Sequence, residues 1–243
     1  MQLQAFTNNS KTVLSIDFDR ITTCNQICDY CYVENLERIY PAYWNKMKRN
    51  SNWATTKPKT FAQQLNTEYG KLRNSKAKQY LRLNRLPVRI YGSGDYVSKH
   101  YQFLKELTFK FYIISKNLTG ANMHQELEKL LQLENLTNVL LSFDNQNILA
   151  NYKVAQSYRS HSNISFAFTG LSEDCSNWLK EGYLFDIFFT IGRTKEERLK
   201  ARNIKAQCPC DSGLLAHNES CTYCNKCWRS KATRGKTWNK IQA

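Results

Sequence analysis

The run Thr12-Val-Leu-Ser-Ile-Asp-Phe-Asp-Arg-Ile-Thr-Thr-Cys-Asn-Gln-Ile-Cys-Asp-Tyr-Cys31 opens with strand-like residues and closes on three cysteines spaced C-x3-C-x2-C. Its first part, Thr12–Phe18, is rich in the β-branched, aliphatic and aromatic residues that strands favour. Five more runs of this kind follow: Val88–Tyr91, Lys110–Ile114, Val139–Phe143, Ile164–Phe168 and Asp186–Ile191. Between them lie amphipathic stretches that predict helices, at Phe61–Leu83, Lys99–Leu107, Met123–Leu133, Ile148–Arg159 and Glu173–Lys180. In the third, Leu127, Leu130, Leu131 and Glu134 recur at helical spacing, with Glu126 and Lys129 expected outside the apolar stripe.

Six β–α alternations imply an α/β fold with a parallel sheet and right-handed crossovers. Doubly wound and barrel arrangements both fit the alternation. The strand ends choose between them: Asp19, Asp95, Lys116, Asp144, Thr169 and Arg193 follow the six strands in turn. In βα barrels the C-terminal strand ends converge on one mouth that carries the chemistry. The expected fold is therefore a partial (β/α)6 TIM-like barrel, open on one side, over residues 1–193. Residues 32–87 form a long first crossover containing Tyr40, Pro41, Tyr43, Trp44 and Trp53, longer than a plain connection needs. Residues 194–243 form a Cys-rich metal-binding extension with a basic tail.

The chain has 243 residues, 42% of them hydrophobic, which allows a sizeable core. No apolar run approaches a membrane span, and Met1–Ser10 lacks a basic leader and an apolar stretch, so a cytoplasmic protein without a membrane partner is expected. Nine cysteines in a reducing compartment argue against a disulfide framework. Three lie within Cys24–Cys31, five within Cys208–Cys227, and Cys175 stands alone; such clustering argues for metal.

The cysteines of the first cluster, Cys24, Cys28 and Cys31, lie in the loop after the first strand, with the aromatic Tyr30 before the last of them. In this the chain resembles the radical S-adenosylmethionine (SAM) superfamily. The resemblance implies that Cys24, Cys28 and Cys31 are the catalytic ligands of a [4Fe–4S] cluster whose fourth iron is open to SAM. It implies reductive cleavage of SAM to a 5′-deoxyadenosyl radical, with an electron donor as partner. The alternative for the same cysteines is zinc, although no fourth Cys or His lies close by in sequence.

The same resemblance places a glycine-rich SAM-binding turn at the end of the second strand, where this chain has Gly92-Ser93-Gly94-Asp95 in place of the usual Gly-Gly-Glu-Pro. Gly92 and Gly94 would permit close backbone approach to a ligand, and Asp95 would replace the missing carboxylate. By the same mapping, Ser115 and Lys116 are expected to reach the SAM carboxylate, and Ser142 and Asp144 its ribose hydroxyls. Thr169 or Arg193 would line the mouth. Alternation puts Ser142 and Asp144 on one face of their strand and Leu141 and Phe143 on the other.

Cys221, Cys224 and Cys227 follow C-x2-C-x2-C spacing, with Cys208 or Cys210 as the fourth ligand of a second site and His217 as a further candidate. Either a second [4Fe–4S] cluster or zinc fits. Together with Cys31-Tyr32, Arg89–Asp95 and Trp228, these motifs resemble a narrower group, the small phage- and plasmid-associated radical SAM-like proteins whose substrates are unassigned.

Thirty-five Lys and Arg against 20 Asp and Glu give a net charge of +15, which attracts polyanions. Between Lys71 and Arg89 there are seven cations and no carboxylate. The tail adds Arg229, Lys231, Arg234, Lys236 and Lys240, with Trp228 and Trp238 among them. Two functions follow as expectations. One is a radical SAM enzyme acting on a macromolecule, RNA or peptide. The other is a nucleic-acid-binding protein whose cysteine sites, zinc or iron–sulfur, only staple the fold. A barrel that binds SAM without turning it over is a third.

Overall fold

The computed structural model describes residues 4–8, 14–24, 28, 31, 33, 38–73, 87–119 and 122–190. Its frame is one seven-stranded sheet in the order β1-β2-β3-β4-β5-β6-β7. The strands are β1 (Phe6–Asn8), β2 (Leu14–Ile16), β3 (Val88–Ile90), β4 (Phe111–Ser115), β5 (Leu136–Phe143), β6 (Ile164–Gly170) and β7 (Ile187–Thr190). The helices are α1 (Arg20–Thr23), α2 (Pro41–Thr56), α3 (Pro58–Arg73), α4 (Tyr101–Leu104), α5 (Met123–Leu131), α6 (Ile148–Ala155) and α7 (Ser172–Lys180).

β2 to β7 are all parallel, and every neighbour in space is the next strand in sequence. A doubly wound sheet reverses its strand order at a switch point. Among the described residues no reversal occurs, so the winding runs in one direction from β1 to β7, and the described strands do not close into a barrel. The six expected strands are all present. β1 was not foreseen: three residues carry too little pattern, and it pairs antiparallel to β2 with Phe6 opposite Ile16. Helix side chains satisfy its backbone, as the Glu68 carboxylate accepts from the Ala5 and Phe6 N–H groups at 3.0 and 3.3 Å.

α2 also departs from expectation, forming 16 helical residues inside the long first crossover. Pro41 at its first turn suits a helix start, because its missing N–H is not needed there. Trp44, Met47, Asn50, Ser51 and Ala54 face inward at spacings of three and four. The polar residues Asn50 and Ser51 interrupt the apolar stripe, which hides it from a hydrophobicity pattern. Their amide and hydroxyl are used structurally: Asn50 Nδ2 donates to the carbonyls of Ala5 and Asp17, and Ser51 Oγ accepts from the Asp19 N–H.

The main core lies between the sheet and its helices, where Val139, Leu141, Phe143, Ile164, Phe166 and Phe168 meet α5 and α6. The opposite parity points the other way, and Leu140, Ala167 and Ile187 form a small separate apolar cluster there with Ile114 and Phe189. Glu126, expected on the solvent side of α5, is buried, and its carboxylate accepts from the Tyr96 hydroxyl at 2.6 Å. No helix among the described residues is long and apolar enough to cross a membrane.

Candidate functional site

The site is assembled at the C-terminal ends of β2 to β5. Along β2, Leu14 and Ile16 enter the main core while Ser15 and Asp17 take the opposite parity. Asp17 is buried, accepts from Ser15 Oγ at 3.0 Å, and accepts from the Ser93 N–H at 3.0 Å. The chain then runs Asp19, α1, Cys24. Asp19 was expected at the mouth; it caps α1, accepting from the Thr22 N–H at 2.9 Å. The Cys24 N–H closes the same turn on Arg20.

The Gly92–Asp95 turn packs tightly on this first loop. Tyr91 has φ 66°, rare for a residue with a side chain, and turns the chain out of β3. Its ring is buried, and its hydroxyl lies 3.0 Å from His100 Nδ1. Burial pushes the His100 pKa down to about 3, so the ring is neutral. A Cβ on Gly92 would collide with Asp17 Oδ1, and one on Gly94, at φ +77°, would sit 2.6 Å from Thr23 Oγ1 and 2.8 Å from the Phe18 carbonyl oxygen. Both glycines thus let the turn meet the protein's own β2 end.

Asp95 is the hub of the turn. Its N–H donates to Thr23 Oγ1 at 3.0 Å. Its carboxylate accepts from the Ser115 hydroxyl and from the N–H groups of Tyr96, Lys116 and Asn117 at 2.7, 3.0 and 3.3 Å. Burial pushes its pKa up to about 6, and these hydrogen bonds pull against that rise. Ser115 is therefore engaged with Asp95. The Asn117 side chain, not foreseen, donates at 2.7 Å to the carbonyls of both Thr23 and Tyr96, locking the three loops together.

Lys116 and Asp144 meet across the strand ends. Lys116 Nζ lies 2.5 Å from Asp144 Oδ2 and 3.1 Å from Cys28 Sγ. The pair is largely desolvated, with side-chain exposures of 14% and 3%. Asp144 is held in place by the N–H groups of Gln146 and Asn147, while Asn147 Oδ1 accepts from the Asp144 N–H. Ser142 is buried on the same strand parity as Asp144, and Leu141 and Phe143 lie in the helix-covered core. Thr169 is half-buried near the end of β6, opposite Phe189 in register.

Cys24, Cys28 and Cys31 are each half-buried and free of disulfides. Burial pushes the Cys24 thiol up to about 12, with Asp95, Cys31 and Cys28 adding to the rise and a hydrogen bond with Thr23 opposing it. Among the described residues, no three His, Cys, Asp or Glu side chains converge tightly enough to hold a metal ion. The donor type nevertheless suits a soft metal centre, since cysteine sulfurs are the ligands that zinc and iron–sulfur clusters take. Cys31 packs with Tyr43 against Val33, Trp44 and Met47. The Trp44 indole N–H is buried without an acceptor among the described residues. Tyr43 reaches the turn from α2, its hydroxyl 3.5 Å from Ser93 Oγ.

Tyr30, Arg193, Cys208, Cys210, His217, Cys221, Cys224 and Cys227 lie outside the described residues. Of the residues that sequence reasoning missed, Asp17 had a signal in the alternation of Leu14-Ser15-Ile16-Asp17. Asn117 had none, because its partners are far away in sequence, while Tyr43 and Trp44 stood out only as aromatic residues of the long crossover. A family model described as gene product 88 matches residues 3–230. No curated protein and no solved structure matches the chain.

Proposed function

The chain belongs to the gene product 88 family, and for this member we propose a radical SAM enzyme built on a (β/α)6 partial barrel. Cys24, Cys28 and Cys31 would hold a [4Fe–4S] cluster at the mouth. When bound, that cluster supplies one electron to cleave the sulfonium S–C5′ bond of SAM. The observation that carries the reading is the Lys116 ammonium, wedged between Cys28 Sγ at 3.1 Å and the buried Asp144 carboxylate. A cation held beside the thiols by a second strand end is suited to receive the SAM carboxylate, and Asp144 to receive a ribose hydroxyl.

The other strand-end groups act as positioning residues. Asp95, through Ser115 and the Lys116 and Asn117 N–H groups, fixes where Lys116 leaves β4. Asp17 fixes the Ser93 N–H, and Ser142 supplies the buried floor below Asp144. Thr169 continues the same strand-end row on β6. Cys221, Cys224 and Cys227, with Cys208 or Cys210, would form the second metal site.

The test is anaerobic reconstitution with iron and sulfide, followed by metal analysis and incubation with SAM and dithionite. The expected result is about four irons at the first site and release of 5′-deoxyadenosine, both lost in Cys28→Ala. Colourless, zinc-loaded protein that releases no nucleoside would overturn the reading in favour of structural metal sites.

A further inference from the structure

Charge is distributed unevenly along the described chain. Residues 38–73 carry eight Lys and Arg and one carboxylate, whereas residues 87–190 carry nine against ten. The lone carboxylate, Glu68, is spent on the backbone of β1. Lys46 and Arg49 turn the same way, donating to Phe6 and Thr7 and to Gln4. What remains exposed on α2 and α3 is Lys48, Lys57, Lys59, Lys71 and Arg73, set among Asn45, Asn52, Thr60, Gln63 and Thr67. Among the described residues of α2 and α3, no carboxylate other than Glu68 is present.

Two further features sit at the start of α2. Tyr40 is 58% exposed, the one aromatic side chain among the large hydrophobics exposed in the described residues. Within the next turn, Tyr43 reaches Ser93 and Trp44 packs beside Cys31. Tyr40 thus caps the helix that carries Lys48, one turn from the two aromatic residues that reach the candidate centre.

We infer that the α2–α3 face docks a single-stranded nucleic acid, with its phosphates along Lys48, Lys57 and Lys59 and an unpaired base stacked on Tyr40. Cations that follow a surface free of carboxylates match a polyphosphate backbone, and an exposed aromatic ring matches a base of any sequence. The inference rests on the radical SAM reading for what happens to the docked strand, and names its substrate class. Docking itself does not depend on a cluster.

The test uses fluorescence anisotropy with labelled oligo(U) and oligo(dT), which also separates RNA from DNA as the source of the strand. Two variants carry the same change in net charge: Lys48→Glu/Lys57→Glu/Lys59→Glu, and Lys105→Glu/Lys153→Glu/Lys180→Glu at exposed positions elsewhere. The first is expected to weaken binding at least about tenfold and to flatten the slope of log K against log salt by about 2, three phosphate contacts being lost. The second is expected to weaken it no more than about threefold. Tyr40→Ala, with an unchanged melting temperature, is expected to lose at least about fivefold.

Equal losses in the two triple variants would overturn the inference, since they mean diffuse attraction by net charge alone. So would binding to vesicles rich in phosphatidylserine with none to either oligonucleotide. Iron content and SAM cleavage are scored separately: localised binding without a cluster sinks only the catalytic reading, and a competent cluster without localised binding sinks only the docking face.

Discussion

The packing of the Gly92–Asp95 turn on the β2 end can be tested with a series of glycine-to-alanine substitutions. At Gly94 two costs add. An L-residue at φ +77° costs about 1–2 kcal/mol. The new methyl also meets the Phe18 carbonyl oxygen at 2.8 Å and Thr23 Oγ1 at 2.6 Å. Neither neighbour yields easily: one is backbone, and the other donates to the Asp19 carbonyl at 2.5 Å while accepting from the Asp95 N–H. Overpacking of this kind costs a further ~1–3 kcal/mol. Gly94→Ala should therefore cost about 2–5 kcal/mol, a large share of the ~5–15 kcal/mol that holds a typical domain.

Gly182 isolates the first term, having φ +89° and nothing within 4 Å of an added Cβ. Gly182→Ala should cost only about 1–2 kcal/mol. Gly92→Ala isolates the second: its φ lies outside the left-handed region, yet its methyl would displace the Asp17 carboxylate from Ser15 and Ser93. Gly70, inside α3 with open space around it, should gain about 0.5–1 kcal/mol as alanine. Urea unfolding followed by tryptophan fluorescence orders the four variants. If Gly94→Ala costs no more than Gly182→Ala, the turn does not pack on Phe18 and Thr23, and its glycines serve a ligand instead.

Other outcomes follow from the same site. Lys116→Met should destabilise the protein by about 3–5 kcal/mol by stranding the buried Asp144 carboxylate, and Lys116→Met/Asp144→Leu should recover most of that loss; a double-mutant cycle in urea that finds no coupling would refute the pairing. His100 is held neutral, with a pKa of about 3 against an ordinary 6.5, so the unfolded chain binds more protons between those values. Its share of stability is full above about pH 6.5 and is lost as pH falls toward 3, and His100→Phe should flatten that part of the pH–stability profile relative to the wild type; equal slopes would count against a buried neutral ring. Reconstituted Cys28→Ala should lose iron at the first site and release no nucleoside, while Lys105→Glu/Lys153→Glu/Lys180→Glu should retain both.

The six parallel strands were legible from local composition, because strand propensity is a property of short segments. So were Lys116 and Asp144, since a polar residue ending an apolar run marks a strand end. Three things were not. β1 is held by pairing with β2 and by Glu68, 62 and 63 residues away from the N–H groups it accepts, so its own three residues carry little signal. α2 hides its stripe because Asn50 and Ser51 face inward to bind backbone groups.

Asp19 and Asp95 show the same division within the site. The chain by itself determined that carboxylates follow strands one and two. Only the tertiary structure decided that Asp19 caps a helix, that Asp95 ties three loops, and that Lys116, 88 residues from Cys28, arrives beside its sulfur. The physical reason is range. Propensity and alternation act over a few residues, whereas the partner of a buried charge is set by which strand ends the winding of the sheet brings together.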